Sequence, residues 1–243
     1  MASPKSGLPI IERFERDVFI EDYFRYKPGE HVTILGPTGS GKTYLGYQLL
    51  KEVSSPKLQG IVLVMKPRDA TAVDFTKKAG YKRVDNWPPP MSIWEPKKPP
   101  GYTLWPKHTF DMEKDDLHLH TVFKRCIGDS YRKGNRIVFG DEAYGLENEL
   151  GLTRELRTLW TRGRSMECGL WVASQKPTHI SLHAYNQAEH LFLHYDPDEN
   201  ARKRFDEIGG VDPNLVRNTV ANLKKHEWLY IRRDGPVMAI VNK

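Results

Sequence analysis

Cysteine is nearly missing from this chain. Cys126 and Cys168 are its only two among 243 residues, without CxxC spacing, which excludes a disulfide-stapled secreted scaffold. Both are expected to be reduced and buried. Long apolar runs are missing as well: no stretch approaches the length of a membrane span, and the N-terminus has no signal-peptide pattern. Membrane insertion is therefore not expected, and the protein is expected to stay in the cytoplasm where it is made. A strong charge imbalance is also lacking. The net charge of +6 is compatible with a polyanionic partner but does not demand one. No internal repeat is present. Hydrophobic residues at 39% are ordinary for a soluble globular chain with length enough for a core.

What is present is concentrated at residues 36–43, Gly36-Pro37-Thr38-Gly39-Ser40-Gly41-Lys42-Thr43. The apolar run Val32-Thr33-Ile34-Leu35 precedes it and Tyr44 to Leu50 follows it as a helix. Strand, glycine-rich loop and helix are the context in which G-x-x-x-x-G-K-[ST] becomes a phosphate cradle. Glycines let successive amide N–H groups point at one anion, and the helix adds its positive end. Lys42 is expected to reach the β- and γ-phosphates of ATP, and the Thr43 hydroxyl to sit on Mg²⁺.

Downstream, Arg136-Ile137-Val138-Phe139-Gly140-Asp141-Glu142 reads as a buried strand ending in two carboxylates. In this order after a P-loop, Asp141 is expected to hold Mg²⁺, and Glu142 to orient and deprotonate the attacking water. Gly140 stands where an apolar residue would, and is expected to loosen that strand end.

Residues 1–9 read as a loose leader, and 10–26 as a short helix or strand across the edge of the core. Lys27-Pro28-Gly29-Glu30 is a turn launching the first core strand. Residues 60–65 form a buried strand. Residues 86–107 are proline- and tryptophan-rich, with Trp87, Trp94 and Trp105, which argues against a regular helix and against a central strand, although Tyr102-Thr103-Leu104-Trp105 is a candidate strand. Either its tryptophans pack on the domain, or it projects and offers lysines to DNA. Residues 111–133 and 150–160 read as helices. His118 and His120, two apart, do not share a helix face, which argues against a metal site. Residues 168–175 and 188–195 read as strands, with His190 and His194 structural or exposed. Two helices follow, opened by Asp196-Pro197 and Asp212-Pro213, and residues 228–241 read as a hairpin.

The run Trp160-Thr161-Arg162-Gly163-Arg164 through Ala173-Ser174-Gln175-Lys176-Pro177 closely resembles the HerA–FtsK family of DNA-pumping ATPases. The resemblance extends over residues 28–241, with Asn186 and the closing hairpin fitting it. The small build is most similar to viral genome-packaging ATPases. It implies an α/β fold: a RecA-like P-loop NTPase with a mainly parallel central sheet flanked by helices, a strand added between the P-loop strand and the Asp-Glu strand, and a C-terminal β-hairpin. Residues 1–27 would be leader and edge, and 28–243 the ATPase domain.

By the same resemblance Gln175 is the sensor of the γ-phosphate. Arg164, or failing it Arg162, is the arginine finger acting on a neighbouring subunit, which implies a homo-oligomeric ring, a hexamer by analogy. The family commonly has Asp two residues before the lysine ending the second strand. Here Val64 stands there, so Lys66 is assigned no catalytic role. Double-stranded DNA is the expected partner, with Lys97, Lys98, Lys107 and Lys176 as candidate contacts in loops 86–107 and 176–187. A capsid portal or another docking protein would supply what this chain lacks. Two readings compete with a packaging motor. One is a conjugation, secretion or partitioning ATPase of the same family. The other is a nucleotide-switched regulatory protein with little turnover.

Overall fold

A computed structural model describes residues 11–90, 98–175, 178, 180–234 and 237–242. Ten strands form one sheet: β1 (Glu12–Phe14), β2 (Val32–Leu35), β3 (Gln59–Leu63), β4 (Lys82–Val84), β5 (Gly101–Leu104), β6 (Arg136–Gly140), β7 (Cys168–Ser174), β8 (His190–His194), β9 (Trp228–Arg232) and β10 (Val237–Val241). Their order across the sheet is β1-β10-β9-β8-β2-β7-β6-β3-β5-β4. From β8 to β4 every pairing is parallel, while β9 runs antiparallel to β8 and β10. Strand β7 lies between the P-loop strand β2 and the Asp-Glu strand β6, the added strand that the resemblance implied. The closing hairpin is β9 and β10, and the N-terminal edge segment is β1, paired parallel to β10.

The central strands are buried along their whole length and mostly apolar, as helices covering both faces require. On one face α2 (Lys42–Val53) and α3 (Ala70–Lys78) pack with Phe19 and Phe24 of the N-terminal segment, which carries the short α1 (Arg16–Val18). The other face carries α4 (Met112–Lys133), α5 (Thr153–Arg162), the short α6 (His183–Asn186) and α8 (Pro213–Ala221), with α7 (Glu199–Lys203) leading into α8. Side chains alternate between the faces within one strand: Leu170 and Val172 of β7 join one core, and Trp171 and Ala173 the other. Asp69, Asp111 and Asp212 cap α3, α4 and α8 by accepting backbone N–H bonds.

The candidate strand in the proline-rich segment forms, and it is a central one. Strand β5 is interior, between β3 and β4, and Trp87 and Trp105 are buried. Trp87 Nε1 donates to Asp129 at 3.1 Å, and Trp105 Nε1 donates to the Lys66 carbonyl at 2.8 Å. The prolines flank β5 and do not enter it, so the ladder loses no donor. The described parts of 86–107 thus pack on the domain, as in the first of the two readings. Residues 91–97, with Trp94, lie outside the described residues.

Smaller boundaries also move. The helix expected from Leu150 begins at Thr153, because residues 145–149 form a wider turn and Gly151 takes a positive φ of 63°. Strand β8 is shorter than expected at both ends, and its His190 and His194 are both buried. Both cysteines are free and buried, and burial pushes the Cys168 thiol up to about 12. Among the described residues no helix is long and apolar enough to cross a membrane.

Candidate nucleotide site

The sheet brings three strand ends together. Strand β2 feeds the glycine-rich loop, β6 leads into Asp141 and Glu142, and β7 between them leads into Gln175. Parallel register fixes this grouping, because Leu35 pairs with Ser174, and Gly140 pairs with Val172. The site therefore lies beyond the carboxyl ends of parallel strands, where open α/β sheets bind ligands.

Gly39 and Gly41 take φ of 78° and 92°. A Cβ at either would meet nothing within 4 Å, so conformation and not space requires glycine there. Gly41 is the N-cap of α2 and supplies no side-chain cap, leaving the first N–H groups of the helix directed at the loop. Lys42 Nζ donates to the Pro37 carbonyl at 2.9 Å, folding the ammonium back over the cradle. Burial holds its pKa below the usual lysine value, against the opposing pull of Asp141 and Glu142.

Thr43 Oγ1 donates to Asp141 Oδ1 at 2.7 Å across 98 residues of sequence. A hydroxyl and a carboxylate side by side are hard oxygen donors, a set that suits Mg²⁺. Burial raises the Asp141 pKa, countered by the Thr43 hydrogen bond and by Lys66, so a divalent cation would relieve that desolvation. Burial raises the Glu142 pKa too, which makes it a stronger base than an exposed glutamate. Gln175 joins the halves of the site. Its Oε1 accepts from Thr38 Oγ1 at 2.8 Å, and its Nε2 donates to Glu142 Oε2 at 3.1 Å.

Lys66 is the residue that sequence reasoning set aside and the fold brings in. Its Nζ lies 3.8 Å from Asp141 Oδ2, and its carbonyl is anchored by Trp105. The available signal was its position just past β3, whose end is adjacent to that of β6. Gly140 also departs from expectation. A Cβ there would overlap Leu146, so the strand end is closely packed and not loosened.

The remaining sequence candidates are not at this site. Arg164 and Arg162 precede β7, whose seven residues place them about 20 Å from Gln175 along the strand. Neither can reach the loop of its own chain. Of the lysines, Lys98 is exposed and Lys107 pairs with Asp85 at 3.4 Å. Lys97 and Lys176 lie outside the described residues.

No protein-family model matches the sequence, and no curated protein matches it. Solved structures do share the fold. The genome packaging NTPase B204 from Sulfolobus turreted icosahedral virus 2, in complex with sulfate, is 18% identical with a TM-score of 0.60, covering 90% of this chain and 98% of that one. VirB4 of Thermoanaerobacter pseudethanolicus is 10% identical with a TM-score of 0.61, covering 86% of this chain and 88% of that one. EssC (ATPases 2 and 3) from Geobacillus thermodenitrificans is 13% identical with a TM-score of 0.52, covering 90% of this chain and 40% of that one. The chain thus shares with these proteins an α/β fold built on a mainly parallel sheet.

Proposed function

We propose that this chain is an ATPase of the HerA–FtsK family that moves double-stranded DNA as a subunit of a ring, in the manner of a viral genome-packaging motor. The observation that carries the proposal is the Thr38–Gln175–Glu142 chain of hydrogen bonds, which links the phosphate loop directly to the general base. The packaging NTPase B204, which covers nearly its whole length against this chain, supports the choice of DNA packaging within the family.

In this reading the loop amides and Lys42 hold the triphosphate of ATP, with Lys42 leaving the Pro37 carbonyl for the phosphates. Thr43 and Asp141 would hold Mg²⁺, which supplies charge neutralisation at the phosphates when bound. Glu142 accepts the proton of the attacking water, a role suited to its raised pKa. Gln175 senses the γ-phosphate because both of its amide atoms are committed to the two sides of the site. Arg164 acts on the neighbouring subunit's nucleotide, since it is too far from its own. The ring follows from that reach, and a hexamer is the state the family resemblance implies. Lysines on loops 86–107 and 176–187, among them Lys98 and Lys107, would contact phosphates without reading sequence, as a motor requires. A capsid portal or comparable docking protein is the further partner.

The test is the ATPase rate against added double-stranded DNA at low and moderate salt, with Glu142→Gln as the blank. Stimulation that fades with salt and is absent in the variant is expected. Hydrolysis indifferent to DNA would overturn the translocase reading and favour a nucleotide-switched regulator. Likeness to VirB4 and EssC keeps a conjugation or secretion ATPase as the second reading. Stimulation by a protein substrate and not by DNA would favour it.

A further inference from the structure

Arg164 is not a loose surface arginine. Its Nη1 donates to Glu189 Oε1 at 3.1 Å, and Glu189 Oε2 accepts from the His31 backbone N–H at 2.7 Å. The carboxylate is almost fully enclosed, with its side chain 10% exposed, while the Arg164 side chain is 62% exposed. The His31 carbonyl in turn accepts the N–H groups of Glu189 and His190, each at 3.1 Å. Glu189 is thus bound through side chain and backbone to His31, the residue just before β2. The Arg164 backbone is seated by the same region, since a Cβ on Gly29 would lie 2.8 Å from the Arg164 carbonyl oxygen. Arg162 is exposed and has no ion-pair partner among the described residues.

A guanidinium carries five N–H donors in a rigid fork. Glu189 engages one nitrogen, and the exposed remainder is free to meet an anion on another molecule. An enclosed carboxylate fixed by a backbone amide is a rigid anchor, so it orients the fork without covering it. Burial works against the charge of Glu189, and the His31 amide and Arg164 both favour it.

We infer that Glu189 is the positioning residue for the arginine that completes the neighbouring subunit's ATP site, and that this arginine is Arg164 and not Arg162. The inference rests on the trans-arginine reading above. It adds a connection: the finger of one site is tied to the base of the strand that carries the phosphate loop of the next.

The experiment compares Glu189→Gln, Arg164→Ala, their double variant and Arg162→Ala in DNA-stimulated hydrolysis by the full chain. Arg164→Ala is expected to lower kcat by about 10³. Glu189→Gln, which leaves an acceptor for the His31 amide but removes the charge, is expected to lower kcat roughly 10- to 100-fold with KM unchanged. The double variant should be no slower than Arg164→Ala, and Arg162→Ala should match the parent. Glu189→Asp keeps the charge but shortens its reach to Arg164; it replaces Glu189→Gln if that variant folds poorly, and the same loss of kcat is expected from it. An equal loss from Glu189→Gln in both backgrounds would show a purely structural role and overturn the proposal, as would no loss at all. Parental hydrolysis by Arg164→Ala would instead overturn the trans-arginine reading on which the proposal stands.

Discussion

Gln175 donates to Glu142 through Nε2 at 3.1 Å, and the same amide accepts from Thr38 through Oε1 at 2.8 Å. The two contacts together fix the amide, so Glu142, the proposed general base, and the phosphate loop share one orienting group. Gln175→Ala is expected to lower single-turnover hydrolysis by about 10². Nucleotide affinity, which the proposed function assigns to the loop and Lys42, should change little. Binding of a fluorescent nucleotide alongside the rate checks both halves, and a large loss of affinity would contradict this division of roles.

Burial disfavours the charge of Asp141 and raises its pKa, against the Thr43 hydrogen bond and Lys66. Asp141→Asn removes that conflict when Mg²⁺ is absent. The variant should therefore melt about 2–4 °C above the parent in chelator, a shift worth about 1 kcal/mol in a chain of this size. It should also need far more Mg²⁺ for half-maximal hydrolysis. Thermal melts with and without Mg²⁺ would read both effects, and a lower melting point in chelator would contradict the first.

His31 supplies a pH dependence to folding. Its Nδ1 accepts the Leu170 N–H at 2.9 Å, which fixes the neutral ring, and burial brings its pKa from 6.5 to about 4. Between those values the unfolded chain binds the extra proton. The stabilisation is full above about pH 6.5 and is lost as pH falls toward 4, by about 3 kcal/mol. Denaturant midpoints at pH 7.5 and 5 should differ less in His31→Gln than in the parent. Equal pH dependence in the two proteins would contradict the assignment.

Gly140 ends β6 beneath Leu146, and a Cβ there would overlap the leucine side chain. Gly140→Ala should cost about 1–3 kcal/mol through overpacking. Leu146→Ala should recover part of that loss when combined with it. Chemical denaturation of the two single variants and the pair would show whether their effects are additive, which would contradict the contact.

In a ring, an Arg164→Ala subunit retains its own Glu142, and a Glu142→Gln subunit retains its own Arg164. Mixing the two inactive variants should restore hydrolysis at the interfaces that pair the intact halves. A mixture as inactive as its components would contradict action between subunits.

Much of this molecule was legible in residue order because its signals are local. The glycines, Lys42 and Thr43 lie within one turn, and the apolar runs of β2, β3, β6 and β7 require cover on both faces. The aspartates before α3, α4 and α8 act on N–H groups two or three residues away. Such patterns determined the phosphate loop, the paired carboxylates at the end of β6 and the mainly parallel sheet. Only tertiary structure decided the contacts between distant segments. Residue order offered 102–105 as a candidate strand amid proline density that argued against a central one, and β5 is interior because the prolines stop short of the ladder. Lys66 enters the site because β3 pairs with β6, and Arg164 is held because the residue before β8 lies beside the residue before β2. These relations depend on strand register, which brings residues together across 75, 25 or 158 positions of sequence. No short-range pattern encodes them.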